Sequence, residues 1–232
     1  MDYTLLLQAA VDTIQQVTPA PPETQQVEQL SLWYLLKEGG PLMIPLAICS
    51  IIAIYVFFER MMAIRKAGQV PLNFMSSVRE SILEGNISRA LSYSKSFAGA
   101  VPRMVQKGVS RIGKPMDHIE KSMENEGKLE VYKMEKNLNI LSTIAGIAPM
   151  FGFLGTIVGM IILFFNIQIH GFEMKNMAGG IYTKMVTSAV GLIIGLVAYV
   201  AYNYLNSQIN KNVNKMESAS NELLDILHEP VR

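Results

Sequence analysis

One cysteine, Cys49, is all the thiol in these 232 residues, which excludes an internal disulfide, a zinc knuckle or a thiol couple. Histidine is almost as scarce: His118, His170 and His228 lie in segments too far apart to form one metal site. Charge of one sign is missing too, with 20 Lys and Arg against 19 Asp and Glu. The basic residues of 59–139 are interleaved with nine acidic ones, which argues against a nucleic-acid surface. A phosphate-binding loop is absent, because the glycines between Gly152 and Gly159 sit in an apolar run without lysine, where close packing is their expected role. No enzyme chemistry, metal or cofactor is expected.

What the chain has in abundance is uninterrupted apolar sequence. Ile140 to Phe165 is 26 residues without a charge, Pro41 to Phe58 is 18, and Met185 to Leu205 is 21. At about 1.5 Å per helical residue each suffices for a hydrocarbon core of about 30 Å. The mean hydropathy of +0.26 would also suit a soluble protein, so the local runs decide the class. The expected fold is an all-α membrane protein with three spans, 41–58, 140–165 and 180–205, the last including a polar entry turn.

Basic residues set the orientation. Residues 59–139 hold 14 Lys or Arg, residues 1–40 hold Lys37 alone, and 166–184 hold Lys175 and Lys184. The positive-inside rule places 59–139 and the 206–232 tail in the cytoplasm, with the N-terminus and a short 166–179 loop outside. Met1-Asp2 lacks a basic n-region and Leu5 to Leu7 is too short for an h-region, so span one is expected to serve as an uncleaved signal.

The remaining segments read as helix. Residues 1–40 form an amphipathic extension and a Pro-rich linker, with Trp33 and Tyr34 at the outer interface and Gly39-Gly40-Pro41 turning the chain into the membrane. The 59–139 region breaks at 67–71, at Gly85-Asn86, at Gly99 and at Gly113-Lys114-Pro115. From Met116 no break is expected before Gly146, so span two should continue into the cytoplasm as one long helix. Leu205, Ile209, Val213, Met216, Leu223 and Leu227 carry span three inward in the same way, and the two extensions should pack together. Their charged runs, including Glu130 and Lys133, are expected to be solvated faces.

Inside the spans the polar chemistry is confined to hydroxyls. Span two offers Thr156, and span three offers Thr183, Thr187 and Ser188. Gly152, Gly155 and Gly159 leave one side of span two nearly bare backbone, and Gly191 and Gly195 do the same for span three, so these faces should supply close helix contacts, including those of a homo-oligomer. A membrane hydroxyl can equally bond back to its own helix carbonyl. Lys184 should either snorkel into headgroups or pair with Glu173, or else act as a gate or partner contact. Glu59-Arg60 divide between topology anchor and partner contact or ion exit.

The run from Ala145 to Met160, AGIAPMFGFLGTIVGM, resembles the signature IAxxAPLLGLLGTVxGM of the MotA/TolQ/ExbB proton-channel family. Gly180 to Leu192, GIYTKMVTSAVGL, is similar to the family's GIAEALLATAxGL segment, Tyr202-Asn203 to the YN that closes that span, and Phe58-Glu59-Arg60 to its acidic-basic pair.

The resemblance implies an ExbB-like subunit of a pentameric bundle around a central pore that holds the single spans of ExbD-type partners. Such a complex uses the proton-motive force to energise a TonB-type protein in the inner membrane of a Gram-negative bacterium. On this chain Thr156 matches the family's pore threonine of span two. Ser188 stands at the pore threonine of span three, with Thr187 beside it to share the role. Thr183 replaces a glutamate frequent in the family, so no carboxylate remains in the spans and the membrane aspartate must come from the one-span partner. A TolQ-like envelope motor is the nearest alternative within the family. From other classes, a small transporter or a passive membrane scaffold would also fit three spans.

Overall fold

The computed structural model describes residues 40–171 and 174–228, and among them every regular element is an α-helix. Of the extension expected over 1–40, residues 1–39, with Trp33 and Tyr34, lie outside the described residues. In chain order the helices are α1 (Met43–Ala67), α2 (Phe74–Leu83), α3 (Ile87–Lys95), α4 (Ala100–Val109), α5 (Met116–Glu135), α6 (Leu138–His170) and α7 (Met174–His228). Three of the helical stretches are long and apolar enough to cross a membrane, and each apolar window is only 22% buried within the chain. Lipid or other subunits must cover the rest.

The loops fall where the breakers lie. Gly40, Gly85 and Gly113 take positive φ values of 71°, 73° and 95°, backbone that L side chains resist. Asn86 caps α3, its side chain accepting from the Arg89 amide at 3.0 Å. One break was not expected. α5 and α6 are separate helices, because Lys136 (φ −50°, ψ 131°) and Asn137 (φ 62°, ψ 0°) form a type II turn. Asn tolerates the left-handed region that this turn requires, and nothing else in the run marks the bend. Gly146 and Pro149, by contrast, lie inside α6.

The helices also run on past the apolar runs. α6 continues to His170 and α7 begins at Met174, so most of the expected 166–179 loop is helix. Apolar runs mark where charge starts, whereas a helix goes on until its hydrogen bonding is interrupted, which Gly171 does at φ 84°.

Outside the membrane-length segments, α2 to α5 pack around the last third of α7. Phe74, Val78, Met104, Val105, Val109, Met123, Met216, Leu223 and Ile226 form the buried core. Phe74, Tyr93 and Phe97 make a ring cluster with centroids 5.2–5.9 Å apart. The two extensions do meet, Gly127 of α5 facing Met216 of α7. Glu130 corrects the expectation of a solvated face: it is 3% exposed and receives Arg103 at 3.0 and 3.2 Å and Lys133 at 2.6 Å. Two cations with their stems in water keep its charge compensated under the surface.

Polar side chains also close two helix ends near the span boundary. Arg60, only 6% exposed, donates to both Glu59 oxygens and, at 3.2 Å, to the Lys133 carbonyl, one of the last four of α5 that lack a helical partner. Buried Asn212 of α7 donates to the Ile64 carbonyl of α1 at 3.1 Å. A methyl group at Gly68 would lie 2.9 Å from the Asn212 amide nitrogen, so this crossing needs a residue without a side chain.

Candidate ion path between the two long spans

The buried residues of α6 run Leu138, Leu141, Ile144, Ala148, Gly152, Gly155 and Gly159, a single stripe of three- and four-residue steps. Their counterpart on α7 is Lys184, Thr187, Ser188, Gly191 and Gly195. The two helices run antiparallel, so residues late in α6 meet residues early in α7.

At the tightest point there is no room for a single carbon. A methyl group at Gly191 would stand 2.7 Å from the Ala148 carbonyl oxygen and 2.9 Å from the Gly152 Cα; one at Gly152 would stand 3.1 Å from the Ser188 Cα. Neighbouring contacts follow the same register. Gly195 accommodates the Pro149 ring, whose Cγ would lie 2.6 Å from an added methyl. It also lies beside the Ala145 carbonyl, 3.0 Å from that methyl, the oxygen that proline leaves without its helical donor. Gly155 receives Thr187, with Leu42 closing the third side. Gly159 receives the stem of Lys184, which an added methyl would overlap at Cγ and Cδ.

The glycines of span two therefore pack on α7 of the same chain. The side chains left open are large: Met150, Phe153 and Ile161 on α6 are 70%, 64% and 63% exposed, and Met185 and Leu196 on α7 are 64% and 65% exposed. Packing antiparallel neighbours through backbone is the shorter route for two spans joined by a short connection, and it leaves the larger side chains for lipid and partners.

The hydroxyls fall into two environments. Thr187 is 1% exposed, enclosed where α6 and Leu42 meet α7. Thr156 and Ser188 are half-buried at the margins of the seam. The Thr156 hydroxyl donates to the Phe153 carbonyl at 2.7 Å, the back-bonded state of a helix threonine, and its oxygen keeps lone pairs for another donor. The Thr183 side chain lies outside the described residues. Glu59 and Arg60, one helical end away, are joined to each other and to α5 rather than to the seam. Among the described residues no cluster of three His, Cys, Asp or Glu could hold a metal.

Three pairings escaped sequence reasoning: Pro149 with Gly195, Lys184 with Gly159, and Glu130 with Arg103. Each joins residues of unremarkable type across helices, and only the register brings them together. A glycine on one helix carries no local signal of the proline on another that it will face.

The stripe, the proline and the hydroxyls all lie within residues 97–218, the part of the chain that matches the family model of the MotA/TolQ/ExbB proton channel family. The chain belongs to this family. It is 24% identical over 184 residues to an ExbB homologue of Methanothermobacter thermautotrophicus, covering 79% of this chain and 66% of that protein, just under two thirds of its length. It is 24% identical over 221 residues to an ExbB-like protein of Synechocystis sp., covering 92% and 85%. With the Tol-Pal system protein TolQ of Pseudomonas aeruginosa the identity is 21% over 225 residues, covering 90% of this chain and 97% of TolQ. In this MotA/TolQ/ExbB protein the glycines and the proline of the seam set how closely α6 and α7 approach.

Proposed function

We propose that this chain is the multi-span stator subunit of a proton-driven motor. It forms a homo-oligomer, a pentamer by family likeness, around the single spans of an ExbD-type partner, and the assembly does mechanical work on a TonB-type protein of the cell envelope. In this reading the membrane is the inner membrane of a Gram-negative bacterium, with the N-terminus periplasmic and 59–139 and the C-terminus cytoplasmic.

The observation that carries it is chemical. Residues 41–58, 140–165 and 185–205 contain no Asp, Glu, His, Lys or Arg. A motor driven by protons needs a group that gains and loses charge within the membrane, so a partner helix must bring the carboxylate. This chain supplies walls and hydroxyls: Thr156 and Ser188 solvate that carboxylate in one of its positions, with Thr187 as a neighbour of Ser188 in the packed seam and Thr183 at the mouth. Lys184, laid on Gly159, stands at the same end as an electrostatic gate. A potential of 100 mV supplies roughly 2.3 kcal/mol per charge, enough to bias a helix rotation.

The test is flux. Reconstituted alone in liposomes the chain should conduct protons negligibly. Adding the one-span partner should switch conduction on, and changing that partner's membrane aspartate to asparagine should switch it off. Thr156→Val, close in shape but without the hydroxyl, should leave the oligomer mass unchanged and remove coupled flux. Robust flux through this subunit alone, or full coupling in the Thr156→Val complex, would sink the proposal. A TolQ-like role within the same mechanism is the second reading, favoured by the 97% coverage of TolQ. Co-purification of a TonB-type or a Pal-type protein separates the two.

A further inference from the structure

An apolar groove of about 530 Å³ runs between α1 and α7 in the half of the spans next to the helical domain, lined among others by Ala53, Phe57, Ile193, Val197, Ala198 and Tyr204. That volume lies in the range of about 300–1,000 Å³ usual for small-molecule sites. Met61 closes its inner end, and the same Met61 lines a second, smaller pocket of about 160 Å³ whose other residues include Arg65, Gln208, Asn212 and Lys215. One residue thus separates a greasy slot from a cationic one.

The depths match a lipid. The groove lies along the uncharged runs, which end at Phe58 and Leu205, and the cationic pocket covers the turns that follow, from Met61 to Gly68 on α1 and from Leu205 to Lys215 on α7. α1 and α7 run side by side in the same direction, Leu42 near Thr187 at one end and Gly68 near Asn212 at the other. Because helical side chains lean toward their N-terminus, Arg65 and Lys215 both lean back toward the membrane. Both are exposed, and among the described residues neither has an ion-pair partner. Asn212 is held in place by the Ile64 carbonyl, which fixes the pocket floor. An apolar slot that leads into two unpaired cations just past the span ends has the charge pattern of an amphiphile with an anionic head.

We infer that this composite site binds one anionic phospholipid of the leaflet next to the helical domain, an acyl chain in the α1/α7 groove and the phosphate between Arg65 and Lys215. Bound there, the lipid would tie α1 to α7 at the level where Arg60 and Asn212 already join helix ends, stiffening the junction between the spans and the helical domain.

Native mass spectrometry of the detergent-purified full chain, titrated separately with dioleoyl phosphatidylglycerol and dioleoyl phosphatidylcholine, tests it. The unaltered chain should retain phosphatidylglycerol about ten-fold better. The double change Arg65→Gln with Lys215→Gln should remove that preference at unchanged helicity and oligomer mass, while Arg65→Lys keeps it. Val197→Trp, at a 60% exposed groove position, should lower retention of both lipids. Equal retention of the two lipids by the unaltered chain, or an unchanged preference in the double variant, overturns the inference. Binding of inorganic phosphate alone with the same affinity as the lipid overturns the lipid assignment. If Val197→Trp instead lowers the oligomer mass and spares lipid retention, the groove is a contact between copies and the inference fails.

Discussion

Between α6 and α7 the contacts are backbone on backbone, Gly152 against Gly191 and Gly195 under Pro149, while in the helical domain Phe74, Met123 and Leu223 fill space with bulk, each at most 1% exposed. The difference follows from the solvent on the other side. In water, burying a large apolar side chain is itself the driving force, about 25 cal/mol per Å². In lipid that gain vanishes, since hydrocarbon tails are as apolar as leucine, and helices associate by fitting closely enough for dispersion contacts to accumulate. Along the α6–α7 seam from Ala148 to Gly159 the chain therefore places small residues inward and large ones outward, and the helical domain reverses the rule.

The contrast can be broken most sharply at the seam. Gly191→Ala puts a methyl group against a carbonyl oxygen and a Cα that belong to another helix backbone and cannot swing aside, so α6 and α7 must separate. Overpacking of this kind costs about 3 kcal/mol where the neighbour is rigid, and the variant should fail to accumulate in membranes as a folded protein. A Gly191→Ala protein with wild-type yield and melting temperature would show that the seam is looser than these distances.

In the helical domain the opposite change is the damaging one. Leu223→Ala removes a fully buried side chain from the packing of α4, α5 and α7 and should cost about 3 kcal/mol, read as a lower melting temperature in detergent with the membrane spans still inserted. Glu130→Ala should cost less, about 1–2 kcal/mol, because Arg103 and Lys133 are 44% and 48% exposed and can turn to water. Thermal melts of the single variants and of Arg103→Ala with Glu130→Ala measure the coupling. A double variant as stable as Arg103→Ala alone would mean that Glu130 contributes nothing beyond that pair.

The smallest effect sharpens the comparison from the other side. Gly127 is buried like Gly191, yet a methyl group there would meet only the Met216 Cε at 3.4 Å and the Met104 Sδ at 3.7 Å, flexible ends at ordinary contact distance. Gly127→Ala should raise stability by roughly 0.5–1 kcal/mol through helix propensity. Destabilisation at this position would mean that the helical domain too is packed to the backbone.

Length and composition made the three spans legible, because a hydrocarbon layer excludes charge and so writes its thickness into the sequence as uninterrupted apolar runs. The turn-forming glycines at 40, 85 and 113 were legible for a related reason: a positive φ leaves few other choices of residue. The APMFGFLGT string and its hydroxyls pointed to the family from sequence alone. Other features were not readable in any one stretch. The bend at Lys136-Asn137 depends on an asparagine that permits the left-handed conformation without demanding it. The burial of Glu130 depends on Arg103, 27 residues away. Which glycine faces which partner is a matter of register between α6 and α7, and register is a property of two helices at once. What crosses the membrane was determined by the sequence acting against its solvent; which atoms touch within it was decided only when the helices had met, because close packing in lipid is set by shape between surfaces that lie far apart along the chain.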